Sequence, residues 1–357
     1  MVAGRVTIAV IAREAGVSVP TVSRVLNGRT DVAPQTRELV ERLLSQHGYR
    51  RRASRQRPGR AALIDLVFND IDSPWAVELI RGVEDVTHAA GVGTVVSAVH
   101  KRSVSTRQWL QNLRARASDG VIFVTSDVTG PIFTELQRLG IPVVVVDPAG
   151  NGVSDVPTIG ATNWSGGLSA TEHLIELGHR RIGLIAGPKT LLCSRARLDG
   201  YRAALESAGI EEQLIVPGDF LHESGFAGAG ELLDLPEPPT AIFACSDTMA
   251  LGAYEAARRR GLRVPEDLSV VGFDDLPESR WSSPPLTTVR QPLVDMGAQA
   301  ARTALRLARG EEIEVPRVEL ATELIVRDST AVPAGAVPAG AVPAGFASLR
   351  GDSPDNR

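Results

Sequence analysis

Hydrophobic and polar positions change their period along this 357-residue chain. Over residues 6–49 apolar residues recur three and four apart, the spacing of helices that bury one face. Ile8, Ile11, Ala12 and Ala15 make one stripe, Val22, Val25 and Leu26 a second, and Leu39, Val40, Leu43 and Leu44 a third. Helix punctuation lies between them. Thr7 can cap the first helix, and Gly16 suits the left-handed residue that ends it. Ser18 is placed as N-cap of the second, and Pro20 falls in its first turn, where a missing N–H goes unused. The third helix begins near Pro34 and stops at Gly48. Two short helices joined by a tight glycine-containing turn have the form of a helix-turn-helix, whose second helix offers its outer face to a DNA major groove.

From residue 61 short apolar runs alternate with amphipathic segments. Strands are expected at 63–68, 92–99, 121–125, 143–147 and 158–161, then at 182–186, 214–217, 241–244 and 269–273, with a last strand-like run at 318–327. Helices are expected at 75–90, 105–116, 131–139, 165–177, 197–208, 224–233, 248–260 and 293–309. This alternation implies parallel sheets wound with helices on both faces, and the count implies two of them. The fold class is therefore α/β: a three-helix head followed by a two-lobed, doubly wound core. The natural site of such a core is the crevice at the C-terminal ends of its strands, between the lobes.

The expected domains are a helix-turn-helix domain at 1–49, a basic hinge at 50–60 and a core at 61–328. Within the core one lobe takes about 61–161 with 291–320, the other 162–290 with 321–328. The hinge, from Arg50 to Arg60, has no apolar stripe and orders only against phosphates. In residues 329–357 the unit Val-Pro-Ala-Gly occurs three times, a composition that builds no core, and a disordered tail is expected.

Charge sharpens this picture. The first sixty residues hold twelve arginines against Glu14, Asp31, Glu38 and Glu41, or +8, while the whole chain is −4. A basic head on an acidic body suits binding to phosphate. No apolar run approaches the ~18 residues of a membrane span, and the N-terminus lacks the apolar core of a signal peptide. Cys193 and Cys245 are the only cysteines, which fits a reducing cytoplasm rather than a disulfide scaffold.

Signals for catalysis are weak, and no enzyme is expected. The stretch from Gly225 to Gly230 is spaced GxxGxG inside a helical run, so it reads as helix packing and not as a dinucleotide loop. His173 and His179 lack metalloprotease spacing, and no Cys/His cluster suggests a metal. Ser194 sits in no nucleophile elbow. No cofactor is implied.

Over about residues 6–328 the chain resembles the lac repressor family of bacterial transcription regulators. The resemblance is carried by Val6-Thr7-Ile8, Ala12, Ala15-Gly16-Val17-Ser18 and Thr21-Val22-Ser23-Arg24-Val25-Leu26-Asn27-Gly28. It continues through Gly178-His179-Arg180-Arg181-Ile182-Gly183, Arg197-Leu198-Asp199-Gly200-Tyr201, Asp247-Thr248-Met249-Ala250-Leu251-Gly252, Val271-Gly272-Phe273-Asp274-Asp275 and Pro284-Pro285-Leu286-Thr287-Thr288-Val289-Arg290-Gln291. It implies a core like that of the periplasmic sugar-binding proteins, a homodimer on a near-palindromic double-stranded operator, and allosteric control by a small, sugar-like effector. A solute-binding protein without a DNA role is the alternative; the basic head speaks against it.

The resemblance also assigns residues. Val19 and Pro20 take the specificity positions of the recognition helix, and Arg24 the position that reads a guanine edge. Thr7, Ser18, Thr21, Ser23 and Asn27 take phosphate-contacting positions. In the cleft, Arg197 and Asp274 match the main ligand positions, Asp247, Gln291, Trp164 and Phe220 further cleft positions, and Ser73, Trp75, Thr125 and Asp147 close the first lobe's strand ends. Trp164 and Phe220 fit core packing equally well, and Arg197 with Asp274 also fits a salt bridge between lobes. The chain departs from the family in two places. Val10 stands where an acidic residue is common, and Arg50-Arg51-Arg52 follows Tyr49 where the family has Pro-Asn, with Arg57-Pro58 near its wedging leucine. Such a hinge would read a narrow minor groove by charge.

Overall fold

The computed structural model describes residues 8–26, 32–47, 62–71, 73–99, 103–124, 130–148, 156–313 and 317–334. The chain divides into two compact units, residues 1–59 and 60–357. In the first, α1 (Ile8–Glu14), α2 (Val19–Leu26) and α3 (Pro34–Gln46) enclose Ile11, Val22 and Val40, all fully buried. Gly16 takes φ +66°, the left-handed turn that only glycine adopts without strain. His47 closes the unit through a 2.6 Å contact of Nε2 with Glu14 Oε2. The expected stripe on α3 is narrower than read: Val40 and Leu44 are buried, whereas Leu39, a third of a turn away, is exposed. A head this small has only one face of α3 to cover.

The second unit begins with β1 (Leu63–Phe68), α4 (Pro74–Ala89), β2 (Gly93–Ala98), α5 (Ser103–Arg116), β3 (Gly120–Val124), α6 (Gly130–Arg138), β4 (Val143–Val146) and β5 (Thr158–Ala161). It continues with α7 (Asn163–Glu176), β6 (Ile182–Ile185), α8 (Leu192–Ser207), β7 (Leu214–Val216), α9 (His222–Leu233), β8 (Ala241–Ala244), α10 (Asp247–Arg259), β9 (Ser269–Asp274), α11 (Pro277–Trp281) and β10 (Thr287–Arg290). It finishes with α12 (Leu293–Ala308), β11 (Arg317–Leu320) and β12 (Glu323–Ile325). One sheet has the order β11-β5-β4-β3-β1-β2, the other β12-β10-β9-β8-β6-β7. All pairings are parallel except that of β12 with β10. The central strands are uninterrupted apolar runs because helices cover both faces of each sheet.

The chain crosses between the two lobes three times: after β5, after β10 and after β11. At the second crossing α12 returns to the first lobe, where Met296 and Ala300 join its core. Gly82 on α4 and Gly297 on α12 let these helices touch; a Cβ on Gly82 would lie 1.9 Å from the Val294 carbonyl oxygen. Gly225 of α9 and Gly252 of α10 do the same for that pair, where a Cβ on Gly225 would lie 2.2 Å from the Met249 carbonyl oxygen.

Several expectations are corrected. The run 318–327 is two strands in different sheets, separated at Ala321-Thr322, where the Thr322 N–H and hydroxyl bond to Thr162. Strand β10 and the short α11 were not anticipated, because prolines crowd their sequence, and α8 starts at Leu192 rather than 197. Ser329 and Ala331, placed at the start of the tail, are fixed to the second lobe. Ser329 Oγ accepts from Thr287 N at 2.8 Å and donates to the Val270 carbonyl at 2.6 Å. The Ala331 carbonyl lies 2.9 Å from His179 Nε2. Residues 48–61, which include the whole expected hinge, and 335–357 lie outside the described residues.

Candidate DNA-reading helix and ligand cleft

The head places α2 with its apolar side inward and its other side open. Ser18 Oγ accepts from the Thr21 N–H at 3.3 Å, the N-cap expected from sequence, and lies 2.8 Å from Thr21 Oγ1. Ser18, Val19, Pro20 and Arg24 are exposed, and Thr21 and Ser23 half-buried. These six candidates share the outer side of one helix start, which is the part of a recognition helix that meets base edges. Thr7 and Asn27 lie outside the described residues.

In the core, a cavity of about 300 Å³ opens between the lobes. The first lobe lines it with Phe68, Asn69, Asp70, Ser73, Trp75, Ala76 and Asp147. The second supplies Pro188, Thr190, Leu191, Cys193, Arg197, Asp219, Phe220, Leu221, Ser246, Thr248 and Asp274. Arg197 projects from α8 and is 3% exposed. Its Nε donates to Asn163 Oδ1 at 2.9 Å and its Nη1 to the Cys245 carbonyl at 2.6 Å. The guanidinium lies 3.7 Å from the Phe273 ring centroid and 5.5 Å from that of Phe220. Phe220 reaches the cavity in a left-handed conformation (φ +73°) and packs against Gly187, where a Cβ would collide with its ring.

Asp274 ends β9 and lies 3.7 Å from Arg197 Nη1, too far for a hydrogen bond. Both residues belong to the second lobe, so the pair is not the bridge between lobes that the sequence also allowed. Gln291 Nε2 donates to Asp274 Oδ1 at 2.6 Å. Burial pushes the Asp274 carboxyl up to about 8 against the pull of Arg197. Asp147 follows β4, is 4% exposed, and its carboxylate makes no hydrogen bond among the described residues. Burial raises it to about 6, again against Arg197. The Cys193 and Cys245 thiols are pushed up to about 12 by burial, so both stay protonated.

Ser73, Trp75, Asp147, Arg197, Phe220 and Asp274 thus meet at one cavity; Thr125 lies outside the described residues. Asp247, Gln291 and Trp164 do not line it. Asp247 is fully buried: Oδ2 accepts from Leu276 N and Ser279 Oγ, and Oδ1 from Thr288 Oγ1, a set that pins α10 to α11 and β10. Gln291 stands behind Asp274. Trp164 lines a separate cavity of about 400 Å³ that shares Asp147 and Cys193 with the first. Residue-type reasoning missed Phe68, Thr190, Ser246 and Thr248. The strand pattern held the signal, since these residues follow or end β1, β6 and β8 on the side where such sheets bind ligands. Among the described residues there is no group of three metal-ligating side chains, and no helix is long and apolar enough to cross a membrane.

A family model described as bacterial regulatory proteins, lacI family, matches residues 7–52, and one described as a periplasmic binding protein-like domain matches residues 171–330. The HTH-type transcriptional regulator CelR of Thermobifida fusca is 38% identical over 335 residues, 91% of this chain and 98% of that protein. A solved complex of the transcriptional regulator CelR with cellobiose superposes with TM-score 0.71 at 36% identity, covering 91% of this chain and all of the other. The lac repressor dimer bound to operator and the anti-inducer ONPF gives TM-score 0.68 at 31% identity, covering 91% of this chain and 99% of the other. With a helix-turn-helix unit, a two-lobed core and relatives matched nearly end to end, this chain belongs to the lacI family of bacterial regulatory proteins and is a DNA-binding transcriptional regulator.

Proposed function

We propose that this protein is a cytoplasmic, homodimeric repressor that holds a near-palindromic operator through α2 and is controlled by a small neutral sugar in the cleft of its core. The observation that carries the effector reading is the cavity itself. Its described lining residues include four carboxyl groups, Asp70, Asp147, Asp219 and Asp274, and a single cation, Arg197. That balance disfavours a phosphorylated or carboxylated ligand and suits hydroxyl groups, which donate to carboxylates and accept from a guanidinium. Trp75 and Phe220 offer aromatic faces to the C–H side of a sugar ring. The solved CelR–cellobiose complex supports the same class of ligand.

On this reading Arg24 reads a base edge, Val19 and Pro20 make apolar base contacts, and Ser18, Thr21 and Ser23 meet phosphates, as would Thr7 and Asn27. Residues 50–60 follow the DNA backbone by charge, and 61–328 form the effector core. The protein carries out no reaction. Ligand shifts an equilibrium between lobe arrangements, and operator affinity changes only to the extent that the sugar binds one arrangement better. The test begins by selecting DNA sites from a random pool with the full-length protein, which should return a two-fold symmetric sequence. Thermal shift against neutral pentoses, hexoses and disaccharides then identifies the effector, since a ligand bound only by the folded state raises its stability. Adding that sugar should lower affinity for the selected site. If no neutral sugar shifts the melting temperature, the effector class is wrong; if no symmetric site is selected, the dimeric operator reading is wrong.

A further inference from the structure

We infer that the cleft has two chambers and takes a glycan of at least two rings, the second ring lying against Trp164. This rests on the sugar reading above and extends it to size. The cavity of about 400 Å³ beside Trp164 borders the effector cavity of about 300 Å³, and Asp147 and Cys193 form part of the wall of both. The smaller chamber alone is at the lower end of ligand sites, which span ~300–1,000 Å³, and suits one sugar ring. Joined to its neighbour it lies well inside that range.

Two side chains mark the second chamber as a place for a ligand. Trp164, in the first turn of α7, remains 46% exposed although it lines a concavity. An indole left open there is a platform for the apolar face of a ring, the use to which aromatic side chains with one dry and one wet side are suited. Asp147 is the second. It is nearly fully buried, turned into a left-handed conformation (φ +45°) after β4, and lines both chambers without a hydrogen-bond donor among the described residues. Lining both cavities, its carboxylate can accept from the hydroxyls of a ligand. Standing in the shared wall, it can accept hydroxyls from rings on either side of a glycosidic bond. Thr158 and the Arg317–Glu319 pair, 2.6 Å apart, add donors and acceptors to the outer chamber, as a polar ligand requires.

The test uses full-length protein and isothermal titration of matched ligands: glucose with cellobiose and maltose, galactose with lactose, xylose with xylobiose, and adenosine and cytidine as aromatic-stacking competitors. At least one disaccharide should bind about tenfold more tightly than its own monosaccharide. W164A should remove that advantage and leave monosaccharide affinity as it was, which also shows that the variant is folded. A monosaccharide that binds as well as its disaccharide in every pair, or a preference that survives W164A, overturns the second chamber alone. A nucleoside bound in preference to every sugar, with W164A abolishing it, overturns the glycan assignment. If nothing in the sugar panel binds, the proposed effector class falls, and this inference with it.

Discussion

Replacing Asp147 with asparagine should stabilise the ligand-free protein and weaken it as a receptor. The carboxyl rises from 3.8 to about 6, with burial the largest cause, Arg197 opposing and Glu319 adding to it. A raised carboxyl favours folding below the unfolded value and loses that contribution as pH rises through the folded one. Ionising Asp147 in the native protein at pH 8 therefore costs ~3 kcal/mol. Asparagine keeps the shape and removes the charge, but its amide still lacks a partner, which returns ~1–2 kcal/mol. The net gain at pH 8 is ~1–2 kcal/mol, or a few degrees in melting temperature for a chain of this size. Urea midpoints of both proteins at pH 5 and pH 8 measure it. The advantage of D147N should be present at pH 8 and shrink at pH 5, where the native carboxyl is mostly protonated. A variant that is less stable at pH 8, or an advantage that does not change with pH, refutes the account. Affinity for the effector should fall, because hydrogen bonds to a charged acceptor contribute ~1.5–3 kcal/mol and those to an amide less.

R24A should cost ~1–3 kcal/mol of operator discrimination in gel-shift titrations while leaving effector binding and nonspecific DNA binding nearly as they were. Deleting residues 335–357 should leave the urea midpoint in place, whereas ending the chain at Asp328 should lower it. The second truncation removes the Ser329 hydroxyl from Thr287 N and the Val270 carbonyl, and the Ala331 carbonyl from His179. G82A should destabilise the core by ~1–3 kcal/mol in denaturant titration, since its methyl would meet the Val294 carbonyl at 1.9 Å unless α12 moves.

The elements were legible where one physical signal was strong. Helix α2 could be read from Ser18, Pro20 and the Val22/Val25 stripe because capping and amphipathic periodicity are local. The central strands could be read because burial on both faces leaves uninterrupted runs of valine and isoleucine, as in 143–146. The extent of single strands was not legible in the same way. Nothing within 318–327 tells one strand from two; the break is set by Thr322 bonding to Thr162, 160 positions away. The site shows the same limit. Residue type could nominate Asp247 and Asp274 alike, both buried carboxylates of the second lobe. Only the fold decides that one is saturated by Leu276, Ser279 and Thr288 while the other faces the cavity. Trp164 was nominated for the cleft beside Arg197 and instead lines the neighbouring cavity, a placement that residue type alone does not reveal.

The Arg197–Asp274 pair is tied to every segment that joins the lobes. Asn163, just beyond the first crossing, accepts from Arg197 Nε and donates to the Ala161 carbonyl. Gln291, at the second, donates to Asp274. The next residue, Asp275, accepts from Arg290 Nε at 2.8 Å and from Arg327, one at each end of the paired β10 and β12 segment. Thr322, at the third crossing, is bonded to Thr162 at the first. Asp274 and Asp275 both hold positive φ (125° and 57°), conformations unfavourable for residues with a Cβ that persist only when the surroundings enforce them. A ligand that shortens the 3.7 Å gap between Arg197 and Asp274, or takes either group as its own partner, must shift side chains bonded to these connections. On the proposed reading, effector binding and lobe angle are coupled through these hydrogen bonds, and no longer path across either sheet is needed. An effector can bias the lobes while touching only the cleft, as the linkage between ligand and operator affinity requires.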